Sequence, residues 1–228
     1  MLHYSYEVIV MTEQHEQIVG EQAEPMQPVL PKRRVRWPAY VAIIASVVMI
    51  VGIVIGVSYL SGSGNDDNVP SWVDVQLIDN NGSGKCGVPL RTVTNIVVHY
   101  VGNPNTSAQN NRNYFNQPAT VVSSHFIVGL EGEVIQCVPL SERSAASNHR
   151  NSDTISIEVC HPDETGQYNE KTYRSLIRLC AWLCDEYGLE ATDLIRHYDV
   201  TGKLCPLYYV EHPEAWEQLI QDVANYEE

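Results

Sequence analysis

Three side chains with complementary chemistry lie close together near the carboxyl end of the chain. His197, Lys203 and Cys205 fall within nine consecutive positions of the segment RHYDVTGKLCP. We interpret this segment as a loop at the end of a strand, and an imidazole, an ammonium and a thiol so close together predict a metal site with a cationic helper. The nearest earlier partner is His99, the last-but-one residue of the β-branched run NIVVHY. A strand there would place this ring at the carboxyl-terminal rim of a sheet.

His99, His197 and Cys205 would supply three of the four tetrahedral positions that zinc prefers. A site with three protein ligands keeps its fourth position open for water, which is the arrangement of a catalytic zinc rather than a closed structural one. The alternative is a packed aromatic neighbour, because a single His–Tyr pair is more often that than a ligand. The order of several further motifs favours the metal site.

Four segments resemble, in order, the zinc-dependent N-acetylmuramoyl-L-alanine amidases of the type 2 family, which share their fold with peptidoglycan recognition proteins. They are VVHY, SSHFIVGLEGEVIQCVP, TISIEVCH and RHYDVTGKLCP, and the resemblance covers about residues 86 to 215. It implies a Zn²⁺ cofactor, peptidoglycan as partner, and hydrolysis of the amide between N-acetylmuramic acid and L-alanine by a zinc-bound water. A specific feature of that family is a histidine eight positions before a cysteine, with a lysine two positions before the same cysteine.

Glu158 is the predicted general base. It lies between Ile157 and Val159 and faces away from these apolar neighbours in a strand. An exposed carboxylate on a sheet face is the alternative. The resembling amidases of Gram-positive bacteria and their phages carry a catalytic glutamate in the same strand context, which implies that Glu158 takes a proton from the attacking water.

Lys203 is the predicted catalytic residue that stabilises the tetrahedral oxyanion. Composition alone would favour an ordinary loop lysine, and only its position two residues before Cys205 argues otherwise. One branch of the family has a tyrosine before the HF of its hairpin strand, where this chain has Ser124. A tyrosine at this position therefore cannot assist catalysis in this chain, so the predicted reaction depends more strongly on Glu158.

Four further polar residues are candidates for supporting roles. Asn148 and His149, in the loop SNHRNSD, and His125, in the hairpin strand, are predicted to contact substrate. A fourth ligand would exclude the water, so His125 is interpreted as a neighbour of the site. Asp199 is predicted to orient His197 or its loop.

The charge balance is acidic, with 14 basic and 28 acidic residues and a formal net charge of −14. A phosphate backbone would be repelled by such a surface, so we predict no nucleic-acid partner. A chain of 228 residues has room for one ordinary domain plus appendages.

Residues 39–60 form an uncharged apolar run that follows four basic residues in positions 32–36. As a helix this run would extend about 33 Å, enough to cross a hydrocarbon core of about 30 Å. We therefore predict a transmembrane helix that keeps residues 1–38 in the cytoplasm and anchors the protein in the cell membrane. Gly52 and Gly56 form a GxxxG motif that could pair two such helices in a weak dimer.

The segments beside this run complete the predicted organisation. Residues 1–38 are predicted to be a disordered tail, acidic first and basic at its end, residues 61–70 a flexible linker, and residues 71–228 the extracytoplasmic zinc amidase domain. A cleaved signal peptide is the competing interpretation, because Ser61-Gly62-Ser63 would suit signal peptidase. The apolar run exceeds the roughly 7 to 15 residues of a signal core, so we favour an uncleaved anchor.

The six cysteines do not have the spacing of a small disulfide scaffold. Cys180 and Cys184 lie one helical turn apart on an apolar face. Besides the predicted ligand Cys205, we interpret all of them as unpaired side chains that fill the core, namely Cys86, Cys137, Cys160, Cys180 and Cys184.

Apolar periodicity predicts an α/β fold, a mixed β-sheet flanked by helices and preceded by the transmembrane helix. Thr154–Cys160 alternates as a strand, and Asn169–Tyr187 has a helical stripe that ends at Gly188. The other predicted elements are a strand at Thr92–Tyr100, a helix at Ser107–Asn116, a hairpin of Ser123–Leu130 and Val134–Val138, a strand at Leu194–Tyr198 and a helix opening at His212-Pro213.

Two other functions remain open from the sequence. Some relatives of the resembling family recognise peptidoglycan without cutting it, so a non-catalytic binding module is one alternative, although such proteins typically lack the cysteine ligand. A transmembrane sensor of the wall, with residues 1–31 as its reporting tail, is the other.

Overall fold

A computed structural model describes residues 69–79, 84 and 87–227 of the chain. The predicted tail 1–38, the predicted transmembrane helix 39–60 with its GxxxG motif, most of the linker 61–70 and Cys86 lie outside the described residues. Within the described residues, no helix combines the length and the apolar character needed to cross a membrane.

The described strands form one six-stranded mixed sheet. They are β1 (Val73–Val75), β2 (Asn95–Tyr100), β3 (Phe126–Val128), β4 (Val134–Gln136), β5 (Thr154–Val159) and β6 (Leu194–Arg196). Their order across the sheet is β1-β4-β3-β5-β2-β6, and all neighbours are parallel except the β3–β4 hairpin. The predicted mixed sheet and hairpin are confirmed. Strand β1 was not predicted, because three residues are too few to show a period of two.

Five α-helices are present in the described part of the chain. They are α1 (Ala108–Phe115), α2 (Glu170–Tyr187), α3 (His197–Thr201), α4 (Leu207–Glu211) and α5 (Pro213–Ala224). Helix α2 begins where the Asn169 side chain accepts a hydrogen bond from the Thr172 N–H, and ends where Gly188 adopts the left-handed conformation at φ 63°. The predicted bounds of α1 and α2, and the predicted start of α5, agree with these ranges within one or two residues.

The segment after β6 differs from the prediction. The predicted strand Leu194–Tyr198 ends at Arg196, and His197 is the first residue of α3 rather than part of a strand or loop. The reason is local, because the Asp199 carboxylate accepts a 2.8 Å hydrogen bond from the Arg196 backbone N–H and caps a helix there. Helix α4 was also not predicted.

The two faces of the sheet are covered differently. Ile155, Ile157 and Val159 of β5 lie in the larger apolar core, with buried residues of α2 and α5. On the opposite face, Ala108 and Phe115 of α1 pack with apolar residues of β3 and β4. Since α1 lies over β3 and β4, the carboxyl ends of β2 and β5 on this face border an open cavity.

Four of the cysteines interpreted as core residues are described, and all four are buried with free thiols: Cys137, Cys160, Cys180 and Cys184. Burial raises the pKa of the Cys137 thiol to about 12, so it stays protonated at neutral pH. The interpretation of these four as unpaired core residues is confirmed.

Candidate metal centre

Three buried side chains meet at the carboxyl end of the central strands. The candidate ligand atoms of His99, His197 and Cys205 all lie within 4.8 Å of one another, and no other group of this kind occurs among the residues that the structure describes. The two imidazole rings are 4.6 Å apart between centroids. The structure therefore brings together the three residues that the sequence singled out.

The topology of the sheet explains this convergence. Strands β2 and β6 are parallel neighbours, so His99 near the end of β2 and His197 directly after β6 reach the same edge. Helix α3 then turns the chain back, with Gly202 at φ 78°. A 2.9 Å hydrogen bond from the Tyr198 N–H to the Cys205 carbonyl closes this loop and returns the thiol to the rings.

Each histidine turns one ring nitrogen toward the cluster and the other toward a protein side chain. His99 Nδ1 lies 3.8 Å from Cys205 Sγ, and its Nε2 lies 3.3 Å from Ser147 Oγ. His197 Nε2 lies 2.8 Å from Asn148 Oδ1, and its Nδ1 is buried without a hydrogen-bond partner. A buried polar atom without a partner is costly, and a bound cation would satisfy it.

The protonation states of the two histidine rings suit a cation. Burial, followed by the nearby His197 and Lys203, lowers the pKa of His99 well below its usual value. Burial and the Lys203 charge also lower the pKa of His197. Burial, then Glu158, raises the pKa of the Cys205 thiol to about 12, so a bound cation would have to displace the thiol proton. Both rings are therefore neutral with available lone pairs, and two nitrogens with one sulfur are a donor set typical of zinc.

Glu158 stands beside His99 on the adjacent strand. The two residues are paired in register between β2 and β5, so their side chains leave the same face of the sheet. Glu158 lines the cavity, and its Oε2 is buried without a hydrogen-bond partner. Burial raises the pKa of Glu158 to about 8, against the opposing effect of the Lys203 charge. A carboxylate that titrates near neutral pH in a cleft is a candidate acid–base group.

The cavity above the cluster has a volume of about 620 Å³. Its floor consists of His99, His197, Cys205 and Glu158, and the exposed Lys203 lies on its wall. A second concavity of about 420 Å³, beside α1, shares Glu158 and Phe115 with the first. Glu158 thus lies where the two concavities meet.

The other predicted site residues have different positions. Asn148 and His149 are exposed, and Asn148 lines the cavity, whereas His149 is not among the lining residues. His125 is fully buried, with Nδ1 3.2 Å from Ser156 Oγ and Nε2 2.9 Å from the Glu142 carbonyl. Because both of its nitrogens are occupied beneath the surface, His125 has no free polar atom for a substrate.

Asp199 acts on the loop of His197 and not on its ring. Its carboxylate binds the Arg196 side chain at 2.8 Å as well as the Arg196 backbone. Burial would raise the pKa of Asp199, but the hydrogen bonds and charge of Arg196 hold it below its usual value. Asp199 therefore fixes the turn from which His197 projects.

Three supporting contacts were missed in the sequence. Ser147 holds the outer nitrogen of His99, the Tyr100 backbone N–H donates to Cys205, and the Tyr168 hydroxyl donates to the His99 carbonyl at 3.1 Å. Ser147 and Tyr168 are 48 and 69 positions from His99. No local pattern signals such contacts.

Comparison with known proteins places this geometry in context. The Amidase_2 family model, described as N-acetylmuramoyl-L-alanine amidase, matches residues 89–207. Among curated proteins, the N-acetylmuramoyl-L-alanine amidase CwlL of Bacillus licheniformis is 32% identical over 141 residues, covering 54% of this chain and 39% of the relative. The N-acetylmuramoyl-L-alanine amidase BlyA of Bacillus subtilis is 30% identical over 149 residues, covering 56% of this chain and 40% of the relative.

The fold also matches solved structures. A mutant endolysin from Bacillus subtilis superposes with a TM-score of 0.59 at 22% identity, covering 66% of this chain and 97% of that one. At this identity the likeness concerns the fold alone. The chain spans about two fifths of the length of the curated relatives named above. Because the family model covers more than half of the sequence, the chain belongs to the Amidase_2 family of N-acetylmuramoyl-L-alanine amidases.

Proposed function

We propose that this chain is a zinc-dependent amidase that hydrolyses the bond between N-acetylmuramic acid and L-alanine in peptidoglycan. The observation that carries the proposal is the convergence of His99, His197 and Cys205 on the floor of a cavity that also contains Glu158. Membership of the Amidase_2 family and the names of its curated relatives support the same substrate and bond.

His99, His197 and Cys205 would hold the metal, and the unpartnered Nδ1 of His197 fits this role. When bound to three protein ligands, zinc supplies a Lewis acid that lowers the pKa of a water from 15.7 toward about 7. The three residues fix the position of this chemistry at the carboxyl edge of β2 and β6. Burial of all three keeps competing solvent away from the donor atoms.

Glu158 is the proposed general base. Its carboxylate faces the cavity beside His99, with one oxygen that has no other hydrogen-bond partner. In its ionised form it accepts a proton from the attacking water and returns that proton to the nitrogen of the departing L-alanine. Such proton transfer typically contributes about 10²- to 10⁴-fold to the rate.

Lys203 is the proposed partner of the oxyanion. Its ammonium lines the same cavity and is close enough to affect the pKa values of His99, His197 and Glu158. A positive charge there would stabilise the negative oxygen that develops as the carbonyl is attacked. Lys203 is exposed, so a substrate that covers it would strengthen this interaction by excluding water.

The shape of the site suits an extended substrate. Because the two concavities meet at Glu158, one could receive the glycan and the other its peptide stem. Asn148 lines one of them. Its contact with substrate, and that of His149, stay predictions.

We also propose that residues 39–60 anchor the enzyme in the cell membrane, with residues 71–228 outside. The length of the apolar run and the basic residues before it support this arrangement. Protease added to intact cells should remove the amidase domain and leave the tail of residues 1–38. Protection of the amidase domain in intact cells would contradict this topology.

Digestion of purified cell wall tests the enzymatic proposal. The purified chain, stripped of metal with a chelator, should release no new L-alanine amino ends, and zinc should restore their release. Binding to the wall without new amino ends in either state would instead favour a recognition module. New amino ends that persist without metal would contradict a zinc-dependent reaction.

A further inference from the structure

The outer nitrogens of the two candidate histidine ligands are held by two consecutive residues. Ser147 Oγ lies 3.3 Å from His99 Nε2, and Asn148 Oδ1 lies 2.8 Å from His197 Nε2. His99 belongs to β2 and His197 to α3, so one short segment touches both ligand-bearing elements. Ser147 is fully buried, which leaves its hydroxyl only protein partners.

This segment is itself firmly held. The Asn151 side-chain oxygen accepts hydrogen bonds from the backbone N–H groups of Ser147 at 2.6 Å and Ala146 at 3.1 Å. Arg150 then connects the turn to the first residue of β2 through a 2.7 Å hydrogen bond to Asn95 Oδ1. The turn is therefore fixed relative to the strand that carries His99.

Asn148 adopts an uncommon backbone conformation, with φ at 53°. Asparagine, aspartate and glycine are the residues that enter this left-handed region most easily. The conformation directs the Asn148 amide to the His197 ring, where its oxygen can only accept a hydrogen bond. His197 Nε2 must then carry the hydrogen, and the lone pair lies on the buried Nδ1 that faces the cluster.

We propose that the Ser147–Asn148 turn is a positioning element for the metal centre, which orients the rings of both candidate histidine ligands and selects the tautomer of His197. This inference rests on the proposed metal site. Ser147 and Asn148 act through the rings and do not themselves contact the metal. Partners of this kind fix the orientation and tautomer of a ligand, and their removal typically weakens metal binding by about 10- to 100-fold.

Asn148 has the larger expected effect, because its hydrogen bond is the shorter one. Asn148→Gly removes the acceptor without straining the backbone, whereas Asn148→Asp keeps an acceptor and also tolerates positive φ. Ser147→Ala removes the longer contact to His99. Asn113→Ala is the matched control, because Asn113 is an exposed asparagine of α1 whose side chain accepts a hydrogen bond from Gln109, far from the metal cluster.

Zinc affinity of the full chain, measured by competition with a chelator, provides the main test. Asn148→Gly should bind zinc about 10- to 100-fold more weakly, Ser147→Ala less so, while Asn148→Asp and Asn113→Ala should bind within a few-fold of the native chain. In the metal-free protein, nitrogen NMR should find His197 protonated almost wholly at Nε2, and Asn148→Gly should lower that fraction toward the mixture of tautomers of an unconstrained imidazole. This spectrum reports on the ring and needs no catalytic activity.

The outcomes separate this inference from the proposed function. If the native chain binds zinc and Asn148→Gly binds it equally well, the positioning role is wrong and the metal site stands. If Asn148→Asp is as weak as Asn148→Gly, acceptance of the hydrogen bond is not what matters, and the inference is also overturned. If the native chain binds no zinc, both the metal site and this inference fail.

Discussion

Two buried polar clusters lie on the same face of the sheet, and they differ in whether the ring nitrogens of their histidines all have hydrogen-bond partners. The metal cluster holds His99 and His197 at the carboxyl ends of the strands. The second cluster, which contains His125, Ser156 and Ser144, lies two residues earlier along β5 than Glu158. In the second cluster the Ser156 N–H donates to His125 Nδ1 at 3.0 Å and the ring's Nε2 meets the Glu142 carbonyl, so no nitrogen is left over.

The difference shows that burial alone does not make a histidine a ligand. His125 and His99 are both almost completely buried. Of these two clusters, the metal cluster is the one that contains a buried ring nitrogen without a partner, His197 Nδ1, next to other donors. A saturated imidazole contributes to the core, whereas an unsaturated one next to a thiol is available to a cation.

Among the substitutions that distinguish the two clusters, removal of the sulfur ligand should have the largest effect on zinc binding. Cys205→Ala should weaken zinc binding by more than about 100-fold, because loss of even an outer partner of a ligand costs about 10- to 100-fold. Zinc content after dialysis and amidase activity both measure the loss. Cys137→Ala is the control, since Cys137 is buried in the apolar cluster under α1, and this variant should keep its zinc. If Cys205→Ala retained its zinc, the Cys205 thiol would not be a zinc ligand.

Loss of the general base should come next. Glu158→Gln should lower kcat by about 10²- to 10⁴-fold while zinc stays bound, because the amide cannot accept the proton. Steady-state kinetics on purified wall measure the change. Glu131→Gln, at an exposed glutamate of the hairpin turn, should leave kcat unaltered. Activity of Glu158→Gln within tenfold of the native value would exclude the proposed role.

Replacement of the cavity lysine should have a somewhat smaller effect. Lys203→Met removes the positive charge and keeps most of the side-chain volume, so kcat should fall by about 10²- to 10³-fold with little change in zinc affinity. Lys171→Met, at an exposed lysine that pairs with Glu131, is the matched control. An equal loss in both variants would assign the effect to net charge rather than to the site.

The stability contributed by the cluster of His125, Ser156 and Ser144 should depend on pH and not on metal. Burial lowers the pKa of His125 from 6.5 to about 4, with a small opposing effect of the Glu142 carbonyl. Its stabilisation is therefore present above pH 6.5 and is lost as the pH falls toward 4, because the unfolded chain takes up the proton first. The expected loss is about 3 kcal/mol of unfolding free energy.

Urea unfolding of the metal-free chain between pH 7 and pH 4 measures this loss. His125→Gln should reduce the dependence on pH, whereas His149→Gln, at an exposed position, should not. Equal pH dependence in the native chain and His125→Gln would mean that the ring is not held neutral by burial.

The sequence predicted the parts of this molecule that have a regular pattern. Alternation along β5 placed Ile157 and Glu158 on opposite faces, and the Asn169 and Gly188 signals bounded α2. The spacing of Lys203 and Cys205 after His197 identified the cavity residues. Each of these follows from residues near one another in the chain.

The contacts that complete the site follow from packing and have no local signature. Asn148 meets His197 across 49 positions, and Ser147 meets His99 across 48. Alternation put His125 on the correct face of the sheet, but it could not indicate that Ser156 and Glu142 would occupy both ring nitrogens. The short helix α3 begins at His197 because the Asp199 side chain caps it. The apolar pattern of the preceding strand continues up to this point, so no signal in the sequence marked the helix start.

X-ray absorption at the zinc edge of the native chain tests the metal centre most directly. The cluster of His99, His197 and Cys205 predicts one sulfur at about 2.3 Å and two imidazole nitrogens at about 2.0 to 2.1 Å from the metal, with a light atom completing four. A zinc environment without sulfur, or with more than one sulfur, would contradict this centre.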